Sequence, residues 1–384
     1  MSPLSNQTGP SLPFSRCWAE VDLLNLERNL TTIRNALPAH LTYVAVVKAD
    51  AYGHGLGPTV SRLLQSGAGM FGVANLEEAR QVLEIGSGWP ILILSPLLPE
   101  EYSGLFEGPF IPCISNEREM AALQERCQQR RQTLDIHLKI DTGLGRVGVW
   151  YEEAAELISK LPQYPMLRLK GCYTHFSDPV KNPDFTALQR KRLMQSIPEE
   201  GKGQLMIHAD NSSGLETFRP DSLFNAVRIG LLQFGVVPYP DSLFGGVRVL
   251  PVLSFFTRLS LIKRVPSGVG LSYGQTHRLH QATRIGLLTA GYADGIPLSI
   301  SDRGEVLIRG RRCPILGRIT MDQTIVSLEN VPDAEVGDLV TLIGRNGDDA
   351  ITLAEFSDSA GTIPWEVLTG LSKRVKRIYR GGRV

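Results

Sequence analysis

The sequence predicts an α/β protein with an N-terminal (β/α)8 TIM barrel and a C-terminal mainly-β domain. Eight short apolar runs alternate with helical patterns before the pattern changes, as such a barrel requires. Several of these runs are continuously apolar, which is typical of parallel strands buried on both faces. Near Pro238 the chain changes to short β-rich runs between Gly, Pro and Asp turns. We therefore predict the barrel over residues 1–248, with a loose tail over about residues 1–14, and the β domain over residues 249–384.

The predicted barrel strands are separated by helices with recognisable ends. The strands are Tyr43–Val47, Met70–Ala74, Ile91–Leu94, Phe110–Ile114, Leu134–Ile140, Leu167–Tyr173, Leu205–Ile207 and Leu223–Ile229. Asn75, with Glu78 three residues later, predicts a helix start, and Gly86 predicts its end. Ser115 or Asn116 opens another helix. A doubly wound open sheet is the alternative fold, but neither G-x-G-x-x-G nor G-x-x-x-x-G-K-[ST] occurs, so no nucleotide site is predicted.

The C-terminal part reads as strands with one short helix. The predicted strands are Leu253–Val265, Arg284–Ala290, Glu305–Ile308, Thr324–Leu328 and Leu339–Ile343. Thr352–Phe356 is predicted as a short helix, and the basic end, Lys373–Arg383, as a solvated strand.

Composition excludes several classes of function. A net charge of +1 gives no electrostatic reason to expect a nucleic-acid or membrane partner. There is no apolar run of about 18 residues, and the N-terminus lacks the basic start and apolar stretch of a signal peptide. The five cysteines are scattered and form no C-x-x-C pair, which argues against disulfides and a metal site and favours the cytoplasm.

Lys48 directly follows the first predicted strand. Functional groups of barrels lie at the carboxyl ends of strands. Desolvation there lowers the pKa of a lysine and favours the neutral amine that forms a Schiff base. A surface lysine before a Gly-rich turn is the alternative that position alone leaves open.

The longer string around Lys48, V-V-K-A-D-A-Y-G-H-G, resembles the cofactor-lysine signature of the alanine racemase family, pyridoxal-phosphate enzymes of fold type III. The resemblance covers nearly the whole chain after the tail. It implies that Lys48 binds pyridoxal 5'-phosphate and that Tyr52 reaches the phosphate. It also implies a homodimer with shared active sites that interconverts L- and D-alanine and supplies D-alanine for peptidoglycan.

A second string, L-K-I-D-T-G-L-G-R-V-G, resembles a further motif of this family. The resemblance implies that Arg146 contacts the cofactor ring oxygen and the substrate carboxylate, a task suited to a guanidinium fork. It also places Lys139 where the family often carries a carbamylated lysine that orients the Arg, and an unmodified Lys139 would repel Arg146. An exposed Arg on a Gly turn is the structural alternative.

Three further strings, T-H-F, H-A-D-N-S-S and V-R-I-G-L, resemble the strand ends of the family barrel. They imply that His175 lies beside the cofactor ring, that Ser212 holds the phosphate and that Arg228 faces the pyridine nitrogen. The backbone N–H groups of Gly230 and Leu231 are expected at the phosphate, which suits the closing loops of a barrel. Because arginine keeps its proton, Arg228 would leave the ring neutral, which favours proton removal and return over transamination.

Tyr273 lies in a G-L-S-Y-G string of the β domain that resembles the family motif carrying the second catalytic base. A Ser-Tyr-Gly triplet by itself occurs in many turns. Racemisation needs acid/base groups on both faces of Cα, which would be Lys48 and Tyr273. The ordinary pKa of tyrosine is about 10, so a cationic network around Arg228 and His175 would have to favour the phenolate.

The G-R-I-T-M-D-Q string implies that the backbone N–H of Met321 touches the substrate carboxylate, with Asp322 nearby; the Thr before Met321 is a mild departure from the family motif. The G-Y-A-D-G string implies that Tyr292 narrows the entrance. The clearest departure is Trp365, which stands in T-I-P-W-E where many relatives place a phosphate-binding Tyr. Trp365 either reaches the phosphate through its indole N–H or forms a wall of the entrance.

Three other functions are alternatives to alanine racemisation. A fold type III decarboxylase would carry an E-P-G-R string, which is absent, and has an acidic group where Arg228 is expected. A non-catalytic pyridoxal-phosphate carrier would lack the β domain and Tyr273. A serine or broad-specificity racemase stays open, because a pocket distinguishes one added hydroxyl weakly.

Overall fold

A computed structural model describes residues 15–218, 223–237 and 247–381. The predicted tail and Pro238 lie outside the described residues. The chain forms two compact units. The barrel unit comprises Asp22–Val252 and residues 379–381, and the β unit comprises residues 15–21 and Leu253–Ile378.

Eight parallel strands of the barrel unit close into a ring. They are β2 (Thr42–Val46), β3 (Met70–Val73), β4 (Ile91–Ile93), β5 (Phe110–Ile114), β6 (Leu134–Asp141), β8 (Leu167–Tyr173), β9 (Met206–Asn211) and β10 (Ala226–Ile229), with β7 (Val149–Trp150) paired beside β6. The order β5-β4-β3-β2-β10-β9-β8-β6 is closed by the pairing of β5 with β6. The TIM-barrel prediction is confirmed, and the doubly wound alternative is wrong.

Helices follow the strands, and the predicted caps form. The helices of this unit are α1 (Leu23–Asn35), α2 (Lys48–Tyr52), α3 (Leu56–Gln65), α4 (Leu76–Ile85), α5 (Glu117–Arg130), α6 (Ala154–Ser159), α7 (Pro183–Gln195) and α8 (Glu199–Lys202). The side chain of Asn75 accepts a 2.9 Å hydrogen bond from the N–H of Glu78, and Asn116 caps α5 in the same way. Gly86 ends α4 as predicted. These caps fix the helices that surround the barrel.

The β unit contains a large, mainly antiparallel sheet, a separate two-stranded sheet and two short helices. Its strands are β1 (Cys17–Asp22), β11 (Leu253–Val265), β12 (Gly270–Leu271), β13 (His277–Arg278), β14 (Thr283–Leu288), β15 (Glu305–Ile308), β16 (Arg311–Pro314), β17 (Thr324–Ser327), β18 (Leu339–Asn346), β19 (Asp349–Ile351) and β20 (Lys376–Arg380). The predicted short helix is α9 (Leu353–Ala360), capped by Thr352, and α10 (Pro364–Gly370) follows it. The predicted basic strand at the end of the chain is β20.

Strand β1 was not predicted from the sequence. It pairs antiparallel with β11, where Cys17 lies opposite Thr257, although it falls inside the range predicted for the barrel domain. All five cysteines are buried and unpaired. Within the described part of the chain, no helix is long and apolar enough to cross a membrane.

Candidate active site

The predicted residues of the barrel unit gather at the carboxyl ends of its strands. Lys48 follows β2, and Lys139 lies near the end of β6. His175 and Ser212 follow β8 and β9, and Arg228 lies near the end of β10. Parallel strands of a closed barrel end on the same side, so the fold collects these side chains at one end of the barrel.

Lys48 opens a turn with unusual backbone geometry. The four residues after it, Ala49 to Tyr52, all have φ between 53° and 55°, the left-handed region. This conformation costs non-glycine residues about 1–2 kcal/mol each, so the surroundings must hold it. Glu78 does so from α4, because its carboxylate accepts 2.7 Å hydrogen bonds from the N–H groups of Ala49 and Ala74. Asp50 adds a 2.7 Å hydrogen bond from the N–H of Leu56.

The amine of Lys48 is electrostatically perturbed. Lys48 is exposed as a residue, but desolvation at the barrel end lowers the pKa of its amine, and the positive charge of Arg146 lowers it further. Glu78 opposes this shift and Arg228 adds to it. The lowered pKa favours the neutral, nucleophilic amine.

The residues predicted at the phosphate also meet. The hydroxyl of Ser212 accepts hydrogen bonds from the N–H groups of Gly230 at 3.1 Å and Leu232 at 3.3 Å. A Cβ atom on Gly230 would lie 2.4 Å from the hydroxyl oxygen of Tyr52, so only glycine allows this approach. Leu231, named with Gly230 as a phosphate contact, begins the short helix that follows. The hydroxyls of Tyr52 and Ser212 thus converge on the backbone at Gly230.

Arg228 is held by hydrogen bonds from both terminal nitrogens. Nη1 donates to Nδ1 of His208 at 2.8 Å, and Nη2 donates to the carbonyl oxygens of Thr174 at 2.8 Å and Ala209 at 3.0 Å. Nη2 also lies 3.4 Å from Nδ1 of His175. Among the described residues, no hydrogen-bond acceptor is found for Nε, which leaves this N–H as the donor open to a ligand.

Burial shapes the electrostatics of this network. Arg228 is only 3% exposed, and burial lowers its pKa to about 10, which leaves it protonated at neutral pH. Burial, followed by the charge of Arg228, lowers the pKa of His175 well below its ordinary value. The site therefore combines a fixed cation with a neutral imidazole.

Lys139 lies deep beside this network. Its Nζ is 4.2 Å from the centroid of the Tyr173 ring, and the guanidinium carbon of Arg228 is 5.1 Å from the same centroid. Burial, followed by the charge of Arg228, lowers the pKa of Lys139 well below its ordinary value. Lys139 is therefore a buried amine that favours the neutral form.

The loop that carries Arg146 is organised by Asp141. The carboxylate of Asp141 accepts hydrogen bonds from the N–H groups of Gly143 at 2.9 Å, Gly145 at 3.1 Å and Arg146 at 2.8 Å. Although burial raises the pKa of Asp141, these bonds lower it below its ordinary value. Arg146 itself is exposed, so its backbone is fixed while its side chain is available.

In the β unit, Tyr292 and Met321 lie on adjacent loops. The N–H of Tyr292 donates to the carbonyl of Thr320, and the N–H of Ala293 donates to that of Met321, both at 3.0 Å. A Cβ on Gly291 would lie 2.2 Å from the Thr320 carbonyl oxygen, so this close approach needs glycine. The structure thus brings together two residues predicted from separate motifs.

Arg374 links these two loops a second time. Its Nη2 lies 2.9 Å from Oδ1 of Asp322, and its Nε lies 3.3 Å from Oδ1 of Asp294. The other oxygen of Asp294 accepts a 2.9 Å hydrogen bond from the N–H of Gly291. Asp322 therefore supports the loop of Met321 through Arg374.

Tyr273 and Trp365 complete the predicted set in the β unit. Tyr273 is 73% exposed and opens a short helical turn after β12. Trp365 is half-buried at the start of α10, and its role stays a prediction.

Sequence reasoning missed the residues that hold the turns. Glu78 lies in the predicted helix start, and its carboxylate also spans two strand ends. Asp141 was only a letter of its motif, and Arg374 was read as part of a basic strand. Only Asp141 carried a signal in the sequence, as a charged residue beside a Gly-rich turn, and only the fold shows which groups Glu78 and Arg374 meet.

Comparison with protein families matches both units. The family model for "Alanine racemase, N-terminal domain" matches residues 21–238. The family model for "Alanine racemase, C-terminal domain" matches residues 252–379. The chain belongs to the alanine racemase family. The resemblance read from the motifs is confirmed at the level of the family.

Relatives of the family cover nearly the whole chain. The alanine racemase of Carboxydothermus hydrogenoformans is 37% identical over 94% of this chain and 99% of its own length. That of Halothermothrix orenii is 35% identical over 94% and 96%. The crystal structure of alanine racemase from Bacillus anthracis with bound L-Ala-P has a TM-score of 0.87 and 34% identity, and covers 96% of each chain.

One further family structure is that of the Bartonella henselae alanine racemase with covalently bound pyridoxal phosphate. It is 27% identical to this chain with a TM-score of 0.84, and the match covers 95% of this chain and 100% of that one. Both units therefore have counterparts in solved alanine racemases.

Proposed function

We propose that this chain interconverts L- and D-alanine with pyridoxal phosphate bound at Lys48. The observation that carries the proposal is the set of groups at one end of the barrel: a desolvated lysine amine, a backbone cradle at Gly230 and a buried guanidinium at Arg228. When bound, the cofactor withdraws electrons from Cα of the amino acid and makes its proton acidic.

The residues present fit this cofactor. Tyr52, Ser212 and the N–H of Leu231 offer hydroxyl and amide donors of the kind that bind phosphate, and the N–H of Gly230, which here donates to the Ser212 hydroxyl, lies beside them. The open Nε–H of Arg228 is a donor for the pyridine nitrogen, and His175 supplies a neutral ring beside it. A negatively charged phosphate would also suit a barrel end that carries the cations Arg146 and Arg228.

Two bases then move the α-proton. Lys48 serves one face of Cα and Tyr273 the other, so one base removes the α-proton of an enantiomer and the other base delivers a proton to the opposite face. A nearby cation must favour the phenolate of Tyr273, a task we assign to Arg228, while His175 stays a neutral imidazole beside it.

The substrate carboxylate is held by two groups, one from the barrel unit and one from the β unit. Arg146 offers a guanidinium fork from a loop fixed by Asp141, and Met321 offers a backbone N–H. Asp322 supports the loop of Met321 through Arg374, and Tyr292 narrows the approach to this contact. Lys139, a buried neutral amine, has the protonation state that carbamylation by carbon dioxide requires, and the product would be an anion able to orient Arg146.

We further propose a homodimer in which Lys48 of one chain and Tyr273 of the other form each site. Two bases on opposite faces of Cα are needed, and these two belong to different units. The product D-alanine would serve peptidoglycan synthesis in the cytoplasm. Alanine is favoured over serine by the family, and discrimination by one hydroxyl is expected to be modest.

Two measurements test the proposal. Circular-dichroism assays on alanine, serine and lysine, with added cofactor, should show racemisation of alanine first. Reduction with borohydride followed by peptide mapping should place the pyridoxyl group on Lys48. The exposed Lys263→Ala variant, matched to Lys48→Ala, should keep both the label and the activity. A label on another lysine, or racemisation of lysine alone, would contradict the assignment.

A further inference from the structure

We propose that Asp302 is a positioning residue that ties together the two β-unit segments carrying Tyr273 and Met321. These segments are the Tyr273 turn, residues 272–276, and the Met321 loop, residues 317–322. The proposal deepens the proposed function and rests on the role assigned there to Tyr273.

The Tyr273 turn cannot be fixed by the packing of its own tyrosine. Tyr273 is 73% exposed in the β unit, so few contacts hold its ring. The turn also carries two non-glycine residues with positive φ, Ser272 at 58° and Gln275 at 47°. Such conformations persist only where the surroundings hold them, so this turn requires an external tie.

Asp302 supplies that tie with both carboxylate oxygens. Oδ2 accepts a 2.8 Å hydrogen bond from the hydroxyl of Thr276, at the end of the Tyr273 turn. Oδ1 accepts a 2.5 Å hydrogen bond from the N–H of Gly317, at the start of the Met321 loop. Nδ1 of His277 lies 3.3 Å from the same oxygen. One carboxylate therefore bridges the two segments.

Neighbouring contacts run between the same segments. The hydroxyl of Ser301, directly before Asp302, accepts a 3.1 Å hydrogen bond from the N–H of Ile319. The hydroxyl of Ser272 donates to the carbonyl oxygen of Arg318. Asp302 itself has φ 59°, a conformation that Asp tolerates better than most residues. Its left-handed backbone is thus part of how the carboxylate reaches both segments.

The consequence for the reaction is geometric. Met321 would hold the carboxylate of the substrate while Tyr273 meets its α-proton, so the distance between the two segments decides whether the proton lies in reach. A misplacement of about 1 Å can cost about 100-fold in rate. Asp302 touches neither the substrate nor the proton in this scheme and acts only through the two segments.

Three variants test the two arms of the tie, which are the hydrogen bonds that the Asp302 carboxylate accepts from the Thr276 hydroxyl and from the Gly317 N–H. Thr276→Val removes the hydroxyl and cuts only the arm to the Tyr273 turn, and Thr276→Ser restores it. Asp302→Gly cuts both arms without adding backbone strain, because glycine accepts a positive φ. Asp333→Ala removes an exposed aspartate of the same unit that pairs with Arg309 and serves as the matched control.

We expect kcat/KM to fall about 10-fold in Thr276→Val and about 100-fold in Asp302→Gly, with Thr276→Ser and Asp333→Ala close to the parent. L- and D-alanine have equal free energies, so kcat/KM must stay equal in both directions. A misplaced Tyr273 should raise the isotope effect of α-deuterated substrate for one enantiomer only, and the solvent isotope effect for the other. A merely structural role would raise neither selectively, and symmetric or unchanged isotope effects in Thr276→Val would overturn the proposal.

Hydrogen exchange separates this proposal from the proposed function. Backbone amides of the Tyr273 turn and the Met321 loop should exchange faster in Thr276→Val and Asp302→Gly than in Asp333→Ala. If the parent protein fails to racemise alanine while this exchange pattern holds, the proposed function is wrong and the tie stands. Unchanged exchange in both variants would overturn the tie whatever the activity.

Discussion

Nη1 of Arg228 lies 2.8 Å from Nδ1 of His208, and this one contact determines the protonation of two buried histidines. Arginine can only donate, so Nδ1 of His208 must be the unprotonated acceptor. The proton of a neutral His208 is therefore on Nε2, which lies 3.1 Å from Nδ1 of His137 and donates to it. Both imidazoles are neutral, and Arg228 is the cation at the start of this series of hydrogen bonds.

The first prediction concerns acid stability. Burial, followed by the charge of Arg228, lowers the pKa of His137 to about 3, whereas an unfolded histidine has a pKa of about 6.5. Between these values the unfolded state binds the extra proton, so the free energy of unfolding falls as pH falls from about 6.5 towards 3. Each such histidine contributes about 1.4 kcal/mol per pH unit.

Urea denaturation between pH 7 and pH 5 measures this slope. His137→Asn removes one titrating group and should reduce the slope by about one proton. His40→Asn, at an exposed position, is the matched control. A parental slope in His137→Asn would show that His137 is already protonated in the folded protein.

The second prediction tests the strained turn after Lys48. Ala49 is exposed and has φ 53°, so Ala49→Gly relieves left-handed strain and keeps the N–H that donates to Glu78. After the greater entropy cost of glycine, we expect a gain of up to about 1 kcal/mol. Ala121→Gly, at an exposed position within α5, should instead lose about 1 kcal/mol. Equal losses in thermal unfolding of both variants would contradict the strain.

The barrel was predictable because its strands are short, continuously apolar runs separated by helices with recognisable ends. Phe110–Ile114 and Leu167–Tyr173 have the predicted bounds, and the caps at Asn75 and Asn116 depend on local hydrogen bonds that the sequence encodes directly. Strand β1 could not be predicted in its sheet, since its partner β11 lies more than two hundred residues along the chain.

The residues of the candidate site were likewise predictable only in part. Lys48 and Arg228 could be named because their motifs are contiguous strings. The left-handed turn and the tie at Asp302 could not, because Glu78 and Asp302 act on N–H groups or hydroxyls of distant segments. A carboxylate that bridges two loops looks, in sequence, like any solvated acidic residue.

The third prediction concerns the phosphate cradle. Gly230→Ala places a Cβ about 2.4 Å from the Tyr52 hydroxyl oxygen and must displace it. Loss of one such hydrogen bond, about 1.4 kcal/mol, should weaken cofactor binding about tenfold. Gly57→Ala, where a Cβ meets nothing within 4 Å, should leave the affinity unchanged. Equilibrium titration of the cofactor-free protein measures both, and equal affinities would contradict the cradle.

The fourth prediction concerns the pyridine nitrogen of the cofactor, which Arg228 cannot protonate because arginine keeps its proton. Arg228→Glu offers a group able to protonate the pyridine nitrogen, so racemisation should slow while transamination, measured as pyruvate formed per racemisation, should rise. Arg228→Gln removes the charge but cannot supply that proton, so it should slow racemisation without raising the ratio. An equal ratio in the two variants would show that Arg228 does not control the ring.

The last prediction is that Lys48 and Tyr273 complement each other across a dimer. Lys48→Ala and Tyr273→Phe should each be nearly inactive, because every site lacks one base. When the two are co-expressed, random pairing makes about half of the dimers mixed. Each mixed dimer would hold one site with both bases and one with neither, so activity should recover to roughly a quarter of the parent if the sites are independent.

Purified mixed dimers make the test decisive. With a different affinity tag on each variant, sequential purification isolates dimers that contain one copy of each, and these should have about half of the parental activity per dimer. If both bases instead acted within one chain, every site would keep one lesion and the mixed dimers would be inactive. A monomeric protein would yield no doubly tagged species. Either result would remove the shared site, whereas recovery in the mixed dimer requires that each site takes one base from each chain.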